Sequence, residues 1–418
     1  MEKIIQFFLL LKAQRIMDLN CFNRSSRGPL RTKFCMVVLC TTALVCETYS
    51  QNYLANPQSY IEQGEYDKAI NALEKKLDKL RTDTAYAEEF DWLVNLYRMN
   101  NDWERLVDLY KGYKFLSGKD TSLLSAARFY HANSRQEMVI DGDNLKPIRF
   151  KPSKSGTPVI EVLINGKKYR FWVDTGAGLT VISSEVAKKC GIKQLLQKGG
   201  HALAATGNKV SIDFGLIDDL KAGNVWVKNH PCLILDKKDL EFRLFGIRLI
   251  KIDGIIGWNF LQEMGVCIDF VNQWIQFEPS LNKPQGEVNF FWMDQPYFKC
   301  TLNEKVNSIF FIDTGASTSG IYSSIYSKVD TSGSVYKTIG IGSAGGKIKI
   351  KSLVLPALTM KIKTREIFLK NLATDPTLRS KRNHFVPDGV LGIKDLKPYV
   401  LRFNLRAGNF EVEVGAKQ

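Results

Sequence analysis

A chain of 418 residues is too long for one ordinary hydrophobic core, so two or three domains are expected. With 44% hydrophobic and 24% charged residues it has a globular composition, which excludes a largely disordered chain. The net charge of +15 favours acidic partners in general, but the basic residues are spread along the chain without a nucleic-acid motif, so nucleic acid is set aside as a partner.

Residues 1–50 read as an export segment. Arg31 and Lys33 precede a 13-residue apolar run, Phe34 to Cys46, and the small residues Thr48 and Ser50 follow it. This pattern predicts a signal peptide cleaved after Ser50 and a secreted or periplasmic protein. The run is short for a permanent anchor, so release is favoured over a membrane tether. The apolar stretch Ile4 to Leu11 is unusual ahead of such a signal, and Met17 and Met36 are alternative starts. Outside this segment four cysteines remain, Cys190, Cys232, Cys267 and Cys300. They allow three disulfide pairings, with a buried free thiol favoured at Cys267. The four histidines are scattered, without zinc-ligand spacing, so no metal or cofactor is expected.

Residues 51–140 are predicted to be a helical segment. Tyr66, Ala69, Ile70 and Leu73 fall on one helix face, and Trp103, Leu106, Val107 and Tyr110 repeat that pattern 37 residues later. The recurrence resembles tetratricopeptide-type helical repeats, which implies either a partner-binding surface or a small hairpin packed on the next domain. From about residue 145 the pattern becomes β. Residues 158–173 alternate around the turn Asn165-Gly166 and predict a hairpin leading into Asp174.

The decisive feature is a second copy. YRFWVDTGAGLTVIS (169–183) returns as SIFFIDTGASTSGIYS (308–323), and KIDGIIGWNFL (251–261) returns as VPDGVLGIKDL (386–396). VCIDFVNQWIQFEP (266–279) returns as YVLRFNLRAGNFEV (399–412). The span from Asp174 to Asp253 is 79 residues and that from Asp313 to Asp388 is 75, so the blocks recur in one order at near-equal spacing. This predicts two homologous β lobes, 145–280 and 298–418, joined by a linker at 281–297 that is rich in Pro, Gly and Asn.

A single Asp-Thr-Gly is usually only a turn. Two of them, each after an apolar strand and each followed by Asp-Gly-apolar-apolar-Gly, offer a chemistry. Two carboxyl groups held together cannot both ionise, so one stays protonated and the other charged. Such a pair supplies both the base that activates water and the acid that protonates an amide carbonyl.

The pattern resembles the pepsin and retropepsin superfamily of aspartic peptidases, over about residues 145–418. The resemblance implies a mainly β, bilobal pair of barrels beside the small helical domain, acting as an aspartic endopeptidase on peptide or protein substrates. It makes Asp174 and Asp313 the catalytic dyad, with Thr175 and Thr314 hydrogen-bonding between lobes and Gly176 and Gly315 donating backbone N–H groups to the carboxylates. Ala177 and Ala316 suit a packed lobe interface. Ser317 is able to hydrogen-bond Asp313, whereas the first lobe has Gly178 in its place. The pepsin-type flap tyrosine is missing from 199–210. Ala205 and Thr206 there, with Gly342 and Ser343 in the second lobe, are flap candidates for substrate contact, as in a retropepsin with fused lobes. The alternatives are an inactive peptide-binding protein on the same fold, or a scaffold whose helical repeats are the point.

Overall fold

The computed structural model describes residues 56–78, 87–112, 122–133, 136–195, 201–203, 209–244, 247–280, 284, 286–343, 346–375, 385 and 387–417. The expected export segment, 1–50, lies outside the described residues. Residues 56–418 form one compact unit.

The segment begins with five helices, α1 (Pro57–Glu62), α2 (Tyr66–Asp78), α3 (Ala87–Met99), α4 (Trp103–Gly112) and α5 (Ser122–Ala132). The Asn56 side chain caps α1 by accepting from the Gln58 N–H, and Pro57 at the first turn needs no such partner. In α2 the residues Tyr66, Ala69, Ile70, Leu73 and Leu77 are buried at helical spacing; in α4 Trp103, Leu106 and Val107 are. These two helices pack chiefly against neighbouring helices, and polar contacts tie the segment to the β body. The Tyr66 hydroxyl accepts from the Trp292 N–H at 2.8 Å, and the Tyr130 hydroxyl donates to the Cys232 carbonyl at 3.0 Å. Arg406 pairs with Glu263 at 2.6 Å and reaches Asn100 at 3.3 Å. The helices therefore hold residues of both repeat copies at once.

The body is mainly β and bilobal, and the two copies share one wiring. In the first, strands Pro158–Ile164 and Lys167–Val173 form the expected hairpin, with Asn165 at φ 46° and Gly166 at φ 77°. Both central residues thus have the positive φ that a type I′ turn requires. Lys167–Val173 then pairs in parallel with Gly254–Ile256, which pairs antiparallel with Thr180–Ser183. In the second, Val306–Ile312 pairs in parallel with Gly389–Leu391, and that strand pairs antiparallel with Gly320–Tyr322. Even the register repeats: Gly254 lies opposite Phe171, and Gly389 opposite Phe310. A Cβ on either glycine would lie 2.3 or 2.4 Å from that ring, so the glycine of each Asp-Gly block is where an aromatic ring comes close to the backbone.

Two features depart from the sequence expectation. The stretch expected as a linker, 281–297, contains a strand, Phe290–Trp292, that is fully part of the second sheet and pairs with Pro296–Leu302. Burial of Phe290, Phe291 and Trp292 outweighs the turn-forming residues around them. The third repeated block does not stay within its lobes either. Met264–Asp269 and Trp274–Pro279 join Tyr399–Asn404 and Asn409–Val414 in one five-stranded sheet, edged by Ile148–Arg149. Across it runs an aromatic core in which Trp258 stacks on Trp292 at 5.7 Å and on Phe403 at 5.6 Å.

Candidate active site

Each Asp-Thr-Gly follows a strand whose alternate residues are buried near its end, Phe171 and Val173 or Phe310 and Ile312, and is pinned from behind by the apolar-apolar-Gly segment. The Asp174 N–H donates to the Ile256 carbonyl and the Asp313 N–H to the Leu391 carbonyl, both at 3.1 Å. Gly257 and Gly392 press on the chain beyond each loop: a Cβ there would lie 2.4 Å from Leu179 backbone atoms or 2.5 Å from those of Thr318. Carbonyls of Ala177 and Ala316 accept from the N–H groups of Trp258 (2.6 Å) and Ile393 (3.0 Å).

The two loops lock together through the threonines. The Thr175 N–H donates to Thr314 Oγ1 at 3.0 Å, and Thr175 Oγ1 donates to the Ile312 carbonyl at 2.7 Å. The mirror pair has the same lengths, from the Thr314 N–H to Thr175 Oγ1 and from Thr314 Oγ1 to the Val173 carbonyl. Both threonines are fully buried, so these four bonds are shielded from water.

This lock brings the carboxyl groups together. Gly176 donates to Asp174 Oδ1 and Gly315 to Asp313 Oδ1, each at 2.8 Å, and Ala316 adds a second bond to Asp313 at 3.0 Å. Each glycine also abuts the opposite carboxyl. A Cβ on Gly176 would lie 2.6 Å from Asp313 Oδ1, and one on Gly315 would lie 2.5 Å from Asp174 Oδ2. No side chain fits at either position. Burial pushes Asp174 well above the usual carboxylate range, and the neighbouring Asp313 charge pushes it further, against the opposing N–H groups of Gly176 and Ala177. Asp313 is also raised by burial, but its backbone donors and a hydrogen bond from Asp174 hold it lower. The two carboxyls therefore titrate as one pair, which holds one proton and one charge between them. Both residues retain partial exposure, so water reaches them.

The remaining sequence candidates are placed as follows. Ser317 is exposed and its carbonyl accepts from the Lys394 N–H at 3.2 Å; the bonds to Asp313 come from Gly315 and Ala316 instead. Gly342 and Ser343 end the strand Val335–Ser343, which turns back onto Gly346–Ile362 with Ser343 opposite Gly346. Ala205 and Thr206 lie outside the described residues, between the paired strands His201–Leu203 and Lys209–Ala222. The cysteines Cys190, Cys232, Cys267 and Cys300 are all buried free thiols. A cavity of about 810 Å³ lined by Phe150, Phe270, Ile393 and Lys397 among others touches neither Asp174 nor Asp313.

Sequence reasoning passed over a hydroxyl six residues after each Asp. Thr180 Oγ1 accepts from the Gly257 N–H at 3.4 Å, and Ser319 Oγ accepts from the Gly392 N–H at 3.0 Å. The common spacing in the two copies was the available signal. In the first lobe the knot extends through Asn259, which accepts from the Thr180 N–H at 2.7 Å, and through His230, 2.8 Å from Thr180 Oγ1. Burial holds His230 down to about 3, so it is a neutral structural group.

A bilobal β body with paired, interlocked Asp-Thr-Gly loops is a retropepsin-like fold. The comparisons with known proteins agree for the first lobe. Residues 160–263 match the family model of the gag-polyprotein putative aspartyl protease, a stretch that holds Asp174 and ends before Asp313. The chain is 28% identical over 117 residues to the UBA domain-containing protein Mud1 of Schizosaccharomyces pombe, covering 27% of this chain and 30% of that protein. It is also 28% identical over 95 residues to Protein DNA-DAMAGE INDUCIBLE 1 of Arabidopsis thaliana, covering 22% of each. The chain thus spans less than a third of the length of either relative.

Proposed function

We propose that the chain is an aspartic endopeptidase whose reaction centre is the Asp174–Asp313 pair. The observation that carries this reading is the mutual placement of the carboxyls: each is held by its own loop's N–H groups and packed against the opposite loop's glycine. The ionised member of the pair takes a proton from water as the water oxygen attacks the amide carbon. The protonated member gives its proton to the carbonyl oxygen, which leaves a neutral tetrahedral diol. Collapse returns a proton from the diol to the carboxyl that gave one up, while the other passes the proton it took from water to the amide nitrogen and the C–N bond breaks. No covalent intermediate with the protein arises. The buried threonine lock keeps both groups in register throughout.

The substrate is an extended peptide or protein segment, for which the hairpin ending at Gly342 and Ser343 offers backbone groups for strand-like pairing. Export of the protein, read from residues 1–50, is part of the proposal and is tested by N-terminal sequencing of the mature chain. The enzymatic reading is tested by incubating the purified full chain with a mixed peptide library from acid to neutral pH. Cleavage is expected, falling about 100-fold or more in Asp174→Asn and Asp313→Asn. A correctly folded wild type that cleaves nothing, or an Asp313→Asn variant of full activity, refutes the proposal.

A further inference from the structure

The two active-site loops are identical over Asp-Thr-Gly-Ala and first differ at the next matched position. The second has Ser317, exposed; the first has Gly178, which offers no side chain. The space beside Gly178 is occupied from elsewhere. A Cβ built there would find Nη2 of Arg98, at 3.8 Å, as its nearest neighbour. Arg98 belongs to the last turn of α3, in the helical segment.

The charge of this guanidinium is poorly answered by the fold. Its Nε is buried with no hydrogen-bond partner, and Nη1 reaches Asn95 Oδ1 only at 3.4 Å. Among the described residues no carboxylate forms an ion pair with it. The acid whose charge it feels is Asp294, on the turn between Phe290–Trp292 and Pro296–Leu302, and Asp294 is engaged by the Tyr297 hydroxyl at 2.6 Å. The other groups facing it electrostatically are Tyr110 and Tyr130. A guanidinium carries five N–H donors in a planar fork suited to a carboxylate, and burying one without such a partner is unfavourable.

Arg406 shows what a structural arginine looks like in the same interface. It receives Glu263 through Nη2 and Nε, at 2.6 and 3.2 Å, and Asn100 as well. Arg98 has no equivalent, yet it retains partial exposure and lies against the loop that carries Asp174. Gly178 is four residues from Asp174, hence within about 14 Å of it along the chain.

We infer that Arg98 is a specificity-determining residue of the peptide site, receiving an acidic side chain of the substrate roughly two to four residues from the scissile bond, on the side of the Asp174 lobe. The inference rests on the peptidase reading. It gives the helical segment a place within the site, since a residue from outside both lobes fills the position that Gly178 leaves open.

The test is cleavage-site profiling of the full chain beside Arg98→Gln and Arg98→Glu, with melting curves to separate misfolding from lost recognition. Wild type is expected to enrich Asp or Glu at one fixed position on one side of the cut. In Arg98→Gln the ratio of kcat/KM for an acidic reporter peptide over its Gln counterpart falls about 10- to 100-fold, mainly through KM. Arg98→Glu turns the preference towards Lys or Arg. A wild type that cleaves without acidic preference overturns the inference; so does an Arg98→Gln variant that melts lower but keeps the wild-type profile. If wild type cleaves neither reporter, the peptidase reading falls, and fluorescence anisotropy of the same two peptides decides this one. Tighter binding of the acidic peptide, abolished in Arg98→Gln, sustains it, and equal binding of both peptides overturns it.

Discussion

Replacing Gly176 by Ala puts a methyl group where the Asp313 carboxyl already stands. The new Cβ would lie 2.6 Å from Oδ1, 2.7 Å from Cγ and 2.9 Å from Oδ2 of Asp313. Ordinary contact begins near 3.4 Å, so the carboxyl or the Gly176 loop must retreat by about 0.8 Å. Retreat of the carboxyl stretches its bonds from Gly315 (2.8 Å) and Ala316 (3.0 Å), and retreat of the loop pulls on the buried threonine lock. A displacement near 1 Å at a reacting group costs about 100-fold in rate, and overpacking of this kind costs about 1–3 kcal/mol of stability. Gly178→Ala is the matched control, because its new methyl meets only Arg98 Nη2, at an ordinary 3.8 Å. The assay is steady-state hydrolysis of a fluorogenic peptide with melting curves recorded beside it. Gly176→Ala is expected to lose about 100-fold in kcat with the folded state retained, and Gly178→Ala to stay within a few-fold of wild type. Equal damage from both, or full kcat in Gly176→Ala, refutes the steric argument.

Thr175→Val removes the acceptor of the Thr314 N–H and the donor to the Ile312 carbonyl; with about 1–3 kcal/mol per stranded buried group, a loss of about 2–6 kcal/mol is expected in denaturant titration. Tyr66→Phe leaves the buried Trp292 N–H without its partner and should lower stability by about 1–3 kcal/mol, whereas an unchanged midpoint shows that α2 is not held through this bond. Asp174 behaves in the opposite sense. Burial raises its folded pKa above the ordinary carboxylate value of 3.8, so the folded state keeps a proton that the unfolded chain releases. Stability therefore falls as pH rises from 3.8 through the folded value, and the penalty is absent below 3.8. Asp174→Asn is expected to melt higher than wild type at pH 7, with that advantage gone near pH 3 while activity is lost at both; a lower melting temperature at pH 7 contradicts the sign.

Much of this architecture was written locally in the sequence. Asn165-Gly166 specifies its turn through positive φ at both positions, and the Asp-Gly blocks recur because Phe171 and Phe310 lie on Gly254 and Gly389. The Asp-Thr-Gly loops were legible for the same reason, since Gly176 and Gly315 each answer a close approach. What was not legible depends on distant partners. Phe290–Trp292 is only three residues long between turn formers, and its strand character comes from pairing with Pro296–Leu302 and from the aromatic core. The sheet shared by Met264–Asp269 and Tyr399–Asn404 requires two lobes to meet, which no local pattern encodes. Arg98 belongs to the same class: its helix is readable, but its place beside Gly178 is set by how α3 docks.

A crystal structure of the full chain bound to a peptide bearing a tetrahedral hydroxyl group in place of one amide measures the reaction centre itself. The hydroxyl oxygen is expected within about 3 Å of a carboxyl oxygen of Asp174 and of one of Asp313, where the attacking water belongs. A hydroxyl that touches one carboxyl alone, or a peptide seated away from both, contradicts a shared dyad.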